Sequence, residues 1–253
     1  MLRPRVIPCL LVSNHGLVKT RRFSHPAYVG DPNNAIRIFN EKEVDELIVL
    51  DIDAGKNRKG PNLSLIEEFA GECYMPVTYG GGIRSVADAA DVLSLGVEKV
   101  SLQSGVIERP TLITDISSRF GNQAVVASVD VTSADKGRPK VRRHPRMRQQ
   151  PQWLSWLKTL ENLGAGEILL TDVDREGTQV GINPLLIEQA SSAVEVPLIA
   201  HGGVASLSDI RAAMNAGASA VAGGSFFVFY GPHRAVLISY LSSADFECLG
   251  TTG

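Results

Sequence analysis

The feature that most constrains this chain is that it repeats itself. ELIVLDIDAGKNRKGPNLSLIEEF, from Glu46, lies over EILLTDVDREGTQVGINPLLIEQA, from Glu167, at a constant offset of 121 without a gap. The offset matches Asp51 with Asp172, Asp53 with Asp174, Gly60 with Gly181, Asn62 with Asn183 and Leu65-Ile66-Glu67 with Leu186-Ile187-Glu188. It runs on through Gly81-Gly82 and Gly202-Gly203, Gly96 and Gly217, and Ser104 and Ser225. A shift of 119 extends it backwards, laying VIPCLLV on VVASVDV, so that Leu11 is the counterpart of Asp130. A repeat of this length requires two copies of one structural unit.

Each half reads as four short apolar strands alternating with helical patterns. The strands are expected near 5–12, 46–51, 76–79 and 97–102, then near 124–130, 167–172, 196–200 and 218–223. Runs such as LIVLDI and EILLTDV suit parallel strands covered on both faces. Helices are expected near 32–44, 62–72, 85–95, 110–119, 152–163, 184–193, 206–216 and 232–241. Eight βα units in 253 residues, 44% of them hydrophobic, predict an α/β fold of the (β/α)8 barrel type, one domain over 1–253 built from two similar halves. Even spacing and half-repeat symmetry disfavour a doubly wound sheet.

In such a barrel the chemistry sits at the C-terminal strand ends. YGGGIRS (79–85) and AHGGVAS (200–206) run from strand end to helix start, and SLQSG and AGGSF follow the next strands. Glycines admit a phosphate to the backbone, and helix N-termini favour its charge. The doubled pattern predicts two phosphate sites, one with Gly82 and Ser104, the other with Gly203 and Ser225. The plainer reading of these glycines is tight turns. Asp51, Asp130 and Asp172 also end strands, as acid–base candidates or as turn caps, and an apolar strand delivers Asp130 directly to the mouth. The connection 13–32, with His15, Lys19, Arg21, Arg22 and His25, is long enough for a mobile lid over an anionic substrate. A basic run from Lys136 to Arg148 is either a solvated surface or an attractor of phosphorylated ligands. At the opposite strand ends, Arg5, Glu46, Lys99 and Glu167 are placed to close the barrel floor as a charge ring.

A net charge of −2 gives no field favouring nucleic acid or an anionic membrane. Cys9, Cys73 and Cys248 form no CxxC pair, which argues for a reducing cytoplasm and against a zinc site. No run of the chain reads as a membrane span, and no metal or cofactor is expected.

RVIPCL, LVKT, VDELIVLDID, YGGGI, ERPTLITDISSRFG, GAGEILLTDVDREGT and the Gly202-Gly203 pair together resemble the cyclase subunit of imidazole glycerol phosphate synthase over about residues 4 to 242. The resemblance implies a cytoplasmic barrel that receives ammonia from a glutaminase docked on its N-terminal face, through a gate formed by Arg5, Glu46, Lys99 and Glu167. It implies a doubly phosphorylated small-molecule substrate held by Lys19, Gly82, Ser104, Gly177, Gly203, Gly224 and Ser225. Its acid and base are strand-end aspartates; Asp130 matches one, and Leu11 occupies the place of the other. Gln103 stands for the usual asparagine and Glu176 for the usual aspartate of the DRDGT-like motif. With these changes the chain is similar to paralogues associated with amidation of surface-polysaccharide sugars, where barrel and glutaminase supply ammonia to a separate amide-transferring enzyme. The alternative is an active cyclase and lyase of histidine biosynthesis.

Overall fold

A computed structural model describes residues 4–14, 16–57, 60–133, 138–231 and 233–250. His15 and Lys136, named above, lie outside the described residues. Eight parallel strands form the barrel: β1 (Arg5–Ser13), β2 (Leu47–Asp51), β3 (Val77–Gly80), β4 (Lys99–Leu102), β5 (Val125–Thr132), β6 (Glu167–Asp172), β7 (Leu198–His201) and β8 (Ala220–Gly223). Each pairs with its neighbours in sequence, and β8 returns to β1 through Arg5↔Ala220 to Pro8↔Gly223, so that no edge is left open. The strands fall within a few residues of their expected positions.

The period of two sorts every strand into two cores. Along β1, Val6, Leu10 and Val12 join the large cluster between strands and helices, whereas Ile7, Cys9 and Leu11 join a smaller one inside the barrel with Ile48, Val126, Leu169 and Ile199.

A helix follows each strand: α1 (Pro32–Glu41), α2 (Leu63–Ala70), α3 (Val86–Ser94), α4 (Leu112–Phe120), α5 (Trp153–Asn162), α6 (Pro184–Ser191), α7 (Leu207–Asn215) and α8 (Ser243–Gly250). The caps repeat with the sequence. Asn62 and Asn183 each accept from the backbone N–H three residues on, at 3.3 Å, and Ser85 and Ser206 do the same for Asp88 and Asp209. Such caps stabilise a helix start by about 1 kcal/mol each. Among the described residues, no helix is long and apolar enough to cross a membrane.

One expectation is corrected. The last helix does not lie near 232–241. Phe229–Tyr230 and Ala235–Val236 pair as a small antiparallel ribbon, and the chain then runs down to the floor, where the Tyr240 hydroxyl donates to the Val6 carbonyl at 2.7 Å. Helix α8 starts only where Ser242 and Asp245 form a reciprocal cap, Ser242 N donating to the carboxylate at 2.8 Å and Asp245 N to the serine hydroxyl at 3.3 Å. The apolar run AVLISY imitates a helical stripe, but the cap lies beyond it. The long first connection has regular structure of its own. Gly16–Arg21 and Ser24–Gly30 form an antiparallel hairpin that folds back on β1 through Leu11↔Val18 and Ser13↔Gly16.

Candidate functional site

The paired glycines owe their place first to packing. Gly82 and Gly203 have φ of 75° and 98°, and a Cβ on them would collide with the carbonyls of Gly60 and Gly181 respectively. A Cβ on Gly81 or Gly202 would come too close to the carbonyl of Asp51 or Asp172. The repeat thus seats each βα turn on the preceding one, which leaves backbone facing the mouth on both sides. Asp51 and Asp172 are turn caps: Asp51 accepts from the N–H of Asp53 and Ala54 at 2.9 Å, and Asp172 from that of Asp174 at 3.1 Å.

Beside β7 and β8 the structure gathers Lys19, Gly177, Gly203, Gly224 and Ser225 around one cleft, together with Leu11 and His201. Lys19 comes from the hairpin, is 4% exposed, and donates to the Cys9 carbonyl at 2.5 Å. Burial lowers its pKa from the ordinary value. A Cβ at Gly224 would come within 2.5 Å of the ammonium nitrogen, so a side chain there would push the lysine tip aside. The Ser225 hydroxyl is buried without a hydrogen-bond partner in this structure. A buried cation beside an unused hydroxyl is the donor set of an anion site.

The matching site of the first half is differently made. Ser104 Oγ lies 3.3 Å from His144 Nε2, and Arg84 and Arg146 both donate to the Gly55 carbonyl, at 2.9 and 3.4 Å. Arg146 also pairs with Glu108 at 2.5 Å, and the Arg84 Nε is buried without a partner. His144 and Arg146 belong to the basic run, which is anchored by pairing of Lys140–Val141 with β5 and by burial of Val141 and Met147. The sequence offered a solvated surface or an attractor of phosphorylated ligands; Val141 and Met147, the two apolar residues within it, are what pin the run down.

Asp130 faces the mouth from β5, where the Gln103 amide donates to its carboxylate. Burial pushes its pKa up to about 6, against the opposing pull of Gln103 and Arg142. Leu11 faces the mouth from β1, 7% exposed, packed in the interior cluster with Val18. One group was missed in the sequence: His201, whose Nδ1 lies 3.2 Å from the hydroxyl of Thr171, itself the strand partner of Asp130. Burial and the charge of Lys19 lower its pKa to about 4, so the imidazole is neutral at pH 7. Its position two residues after the inward Ile199 was the available signal.

At the floor, Arg5 bonds Glu46 at 2.6 Å and Glu167 at 3.0 Å, and Lys99 bonds the same two carboxylates at 3.0 and 3.3 Å. The four side chains close a ring of alternating charge. The two carboxylates hold the Arg5 guanidinium above its ordinary pKa, although burial pulls the other way. Above the ring the interior is polar on one side: Thr78 reaches Glu46 at 3.5 Å, and the Ser101 and Ser128 hydroxyls meet at 2.7 Å. Lys99, Ser101 and Gln103 follow one another at the strand period, as do Ser128 and Asp130, so one polar file climbs from ring to mouth.

Comparison with known proteins matches residues 5–233 to the family described as histidine biosynthesis protein. The chain is 51% identical, over 95% of its length and 96% of the relative's, to a Pseudomonas aeruginosa protein provisionally named imidazole glycerol phosphate synthase subunit hisF2. It is 46% identical, over 98% and 99%, to a Leptospira borgpetersenii protein provisionally named subunit HisF of the same synthase. A Vibrio vulnificus protein provisionally named subunit hisF3 is 43% identical, over 97% and 95%.

Proposed function

Because this chain belongs to the histidine biosynthesis protein family, we propose that it works as the ammonia-conducting barrel of a glutamine-dependent synthase, with little cyclase chemistry of its own. It is a cyclase subunit of the imidazole glycerol phosphate synthase type. A glutaminase docks at the strand starts around Arg5, Glu46, Lys99 and Glu167 and hydrolyses glutamine to glutamate and ammonia. Ammonia passes the ring when a salt bridge opens and moves along Thr78, Ser101 and Ser128, hydroxyls that replace part of its hydration. It leaves at the mouth for a separate amide-transferring enzyme acting on a surface-polysaccharide sugar.

One observation favours conduction over cyclisation: Leu11. A leucine packed against Val18 and Cys9 can neither give nor take a proton where the second half of the barrel presents Asp130. Loss of one general acid or base typically costs about 100- to 10,000-fold. The cleft with Lys19 and Ser225 keeps a second reading in play, an active cyclase in which Asp130 works with another group on a phosphorylated substrate.

Steady-state turnover of the ribulosyl imidazole carboxamide substrate with ammonium salt separates the two. The conduit reading expects a rate at least about 100-fold below that of a barrel with both aspartates. Turnover near that of such a barrel overturns it.

A further inference from the structure

The large apolar side chains that this barrel leaves in water are not spread over it. Among the described residues, Tyr28, Val180, Leu185, Tyr230, Val236 and Leu237 are 51 to 73% exposed, and all six stand on the mouth side, in the connections after β1, β6 and β8 and in the first turn of α6, with the less exposed Leu63 at the start of α2. On the floor side Tyr74 is the exposed counterpart. Isolated exposed apolar residues such as Tyr74 need no explanation, but a group of them gathered on one rim marks an interaction surface.

That rim is tied together. The hairpin is joined to the connection after β6, because Arg22 donates from its backbone N–H to the Glu176 carbonyl and from Nε to the Asp174 carbonyl, both at 2.9 Å. The ribbon after β8 reaches the same connection through Arg234 and the Gly177 carbonyl at 3.4 Å. On the other side, the Arg142 guanidinium lies 5.1 Å from the centre of the Phe23 ring, linking the hairpin to the basic run. An apolar sector therefore continues into a cationic one, where Arg138, Arg143 and Arg148 are exposed. In a chain of net charge −2 with 25 lysines and arginines, seven of them fall in the sequence between Lys136 and Arg148.

We infer that this rim is the docking surface for the enzyme that consumes the ammonia, through an acidic border and an apolar centre around that enzyme's ammonia entrance. The inference rests on the conduit reading and adds the second interface it requires. Ammonia emptied into neutral water is taken up as ammonium, which is not a nucleophile, so the exit must be covered. Opposite charge supplies orientation and fast association, and the apolar sector supplies contact area. Neither a nucleic acid nor a membrane explains why four connections are fixed to one another around the opening.

The test uses the full chain, its glutaminase and the amide-transferring enzyme of the same cell, purified and identified by its ammonium-dependent amidation. Two variants are compared with the native barrel: R138E/R143E/R148E, and Tyr230→Asp with Val236→Asp. Both should bind glutaminase normally but bind the acceptor enzyme about 30-fold or more weakly, with glutamine-dependent amidation falling in step and ammonium-dependent amidation unchanged. Native binding should also weaken steeply with added salt. If the native barrel supports glutamine-dependent amidation and neither variant weakens acceptor binding, the docking inference is overturned while the conduit reading survives. If the native barrel fails to support it, both fall. Capture of RNA or anionic vesicles through the same residues, without acceptor binding, also overturns it.

Discussion

The hydroxyl of Thr20 donates to the carboxylate of Glu176 at 3.0 Å, and the N–H of Phe23 donates to the same oxygen at 3.1 Å. Glu176 is 4% exposed, so its carboxylate is a buried latch between the hairpin and the connection after β6. Lys19 reaches the cleft from that hairpin, and the latch therefore also sets the cleft's cation.

Removing the latch should loosen the hairpin before anything else. Glu176→Ala strands a hydroxyl and an N–H, at a local cost of about 1 to 3 kcal/mol. Amide exchange over residues 16–30 is expected to quicken by about 10- to 100-fold, with Glu176→Asp intermediate. Unchanged exchange would mean that pairing with β1 alone holds the hairpin.

The cleft beside β7 and β8 should bind an anion. Phosphate or sulfate is expected to raise the thermal midpoint of the native protein, and Ser225→Ala to reduce that shift without lowering the midpoint in anion-free buffer, since the hydroxyl has no partner to lose. Substitution of Gly203 is a poorer probe, because a side chain there strikes the Gly181 carbonyl and disturbs the fold itself. An equal shift in native and Ser225→Ala protein removes that hydroxyl from the anion site.

At the floor, Lys99→Leu leaves Glu46 and Glu167 with Arg5 as the one cation of the ring. Unbalancing a half-buried ring should cost about 1 to 3 kcal/mol. In the complete system it should lower glutamine-dependent product formation more than ammonium-dependent formation, with circular dichroism unchanged. Equal loss from both ammonia sources would show that the ring serves stability only.

Asp130 makes a pH prediction. Its folded pKa, about 6, is above the ordinary 3.8, so the folded state binds the proton more tightly than the unfolded chain. Ionisation therefore costs stability, by nothing below pH 4 and increasingly up to pH 6, where the cost levels at about 1 to 3 kcal/mol. Asp130→Asn should relieve it: denaturant titrations should give equal stabilities near pH 3.5 and a more stable variant at pH 7.5. A difference independent of pH would assign the effect to the Gln103 contact instead.

The barrel was legible because its signals are local. Strand period, cap residues three positions apart and the 121-residue offset are properties of near neighbours or of one copy against another, and they fixed eight βα units, the two glycine turns and the mismatch of Leu11 with Asp130. The composition of the floor ring was legible for the same reason, since each member begins a strand or, as Glu46 does, stands just before one. The last helix was misplaced because AVLISY satisfies a local pattern that a distant contact, Tyr240 on Val6, overrides.

What only the tertiary structure decided is which side chains meet once the barrel closes. The Thr20 to Glu176 latch spans 156 residues and the Thr171 to His201 contact 30. No local period encodes such pairs. Barrel closure also made the two glycine-lined corners of the mouth unlike, setting a buried lysine in the cleft with Ser225 and an imidazole beside Ser104, although the sequence presents those serines as equivalent. The repeat dictates the backbone of both halves, whereas the loops that fold over them, the hairpin on one side and the basic run on the other, are not repeated. The charge and hydrogen bonding at the mouth therefore come from the part of the chain where the internal symmetry is broken.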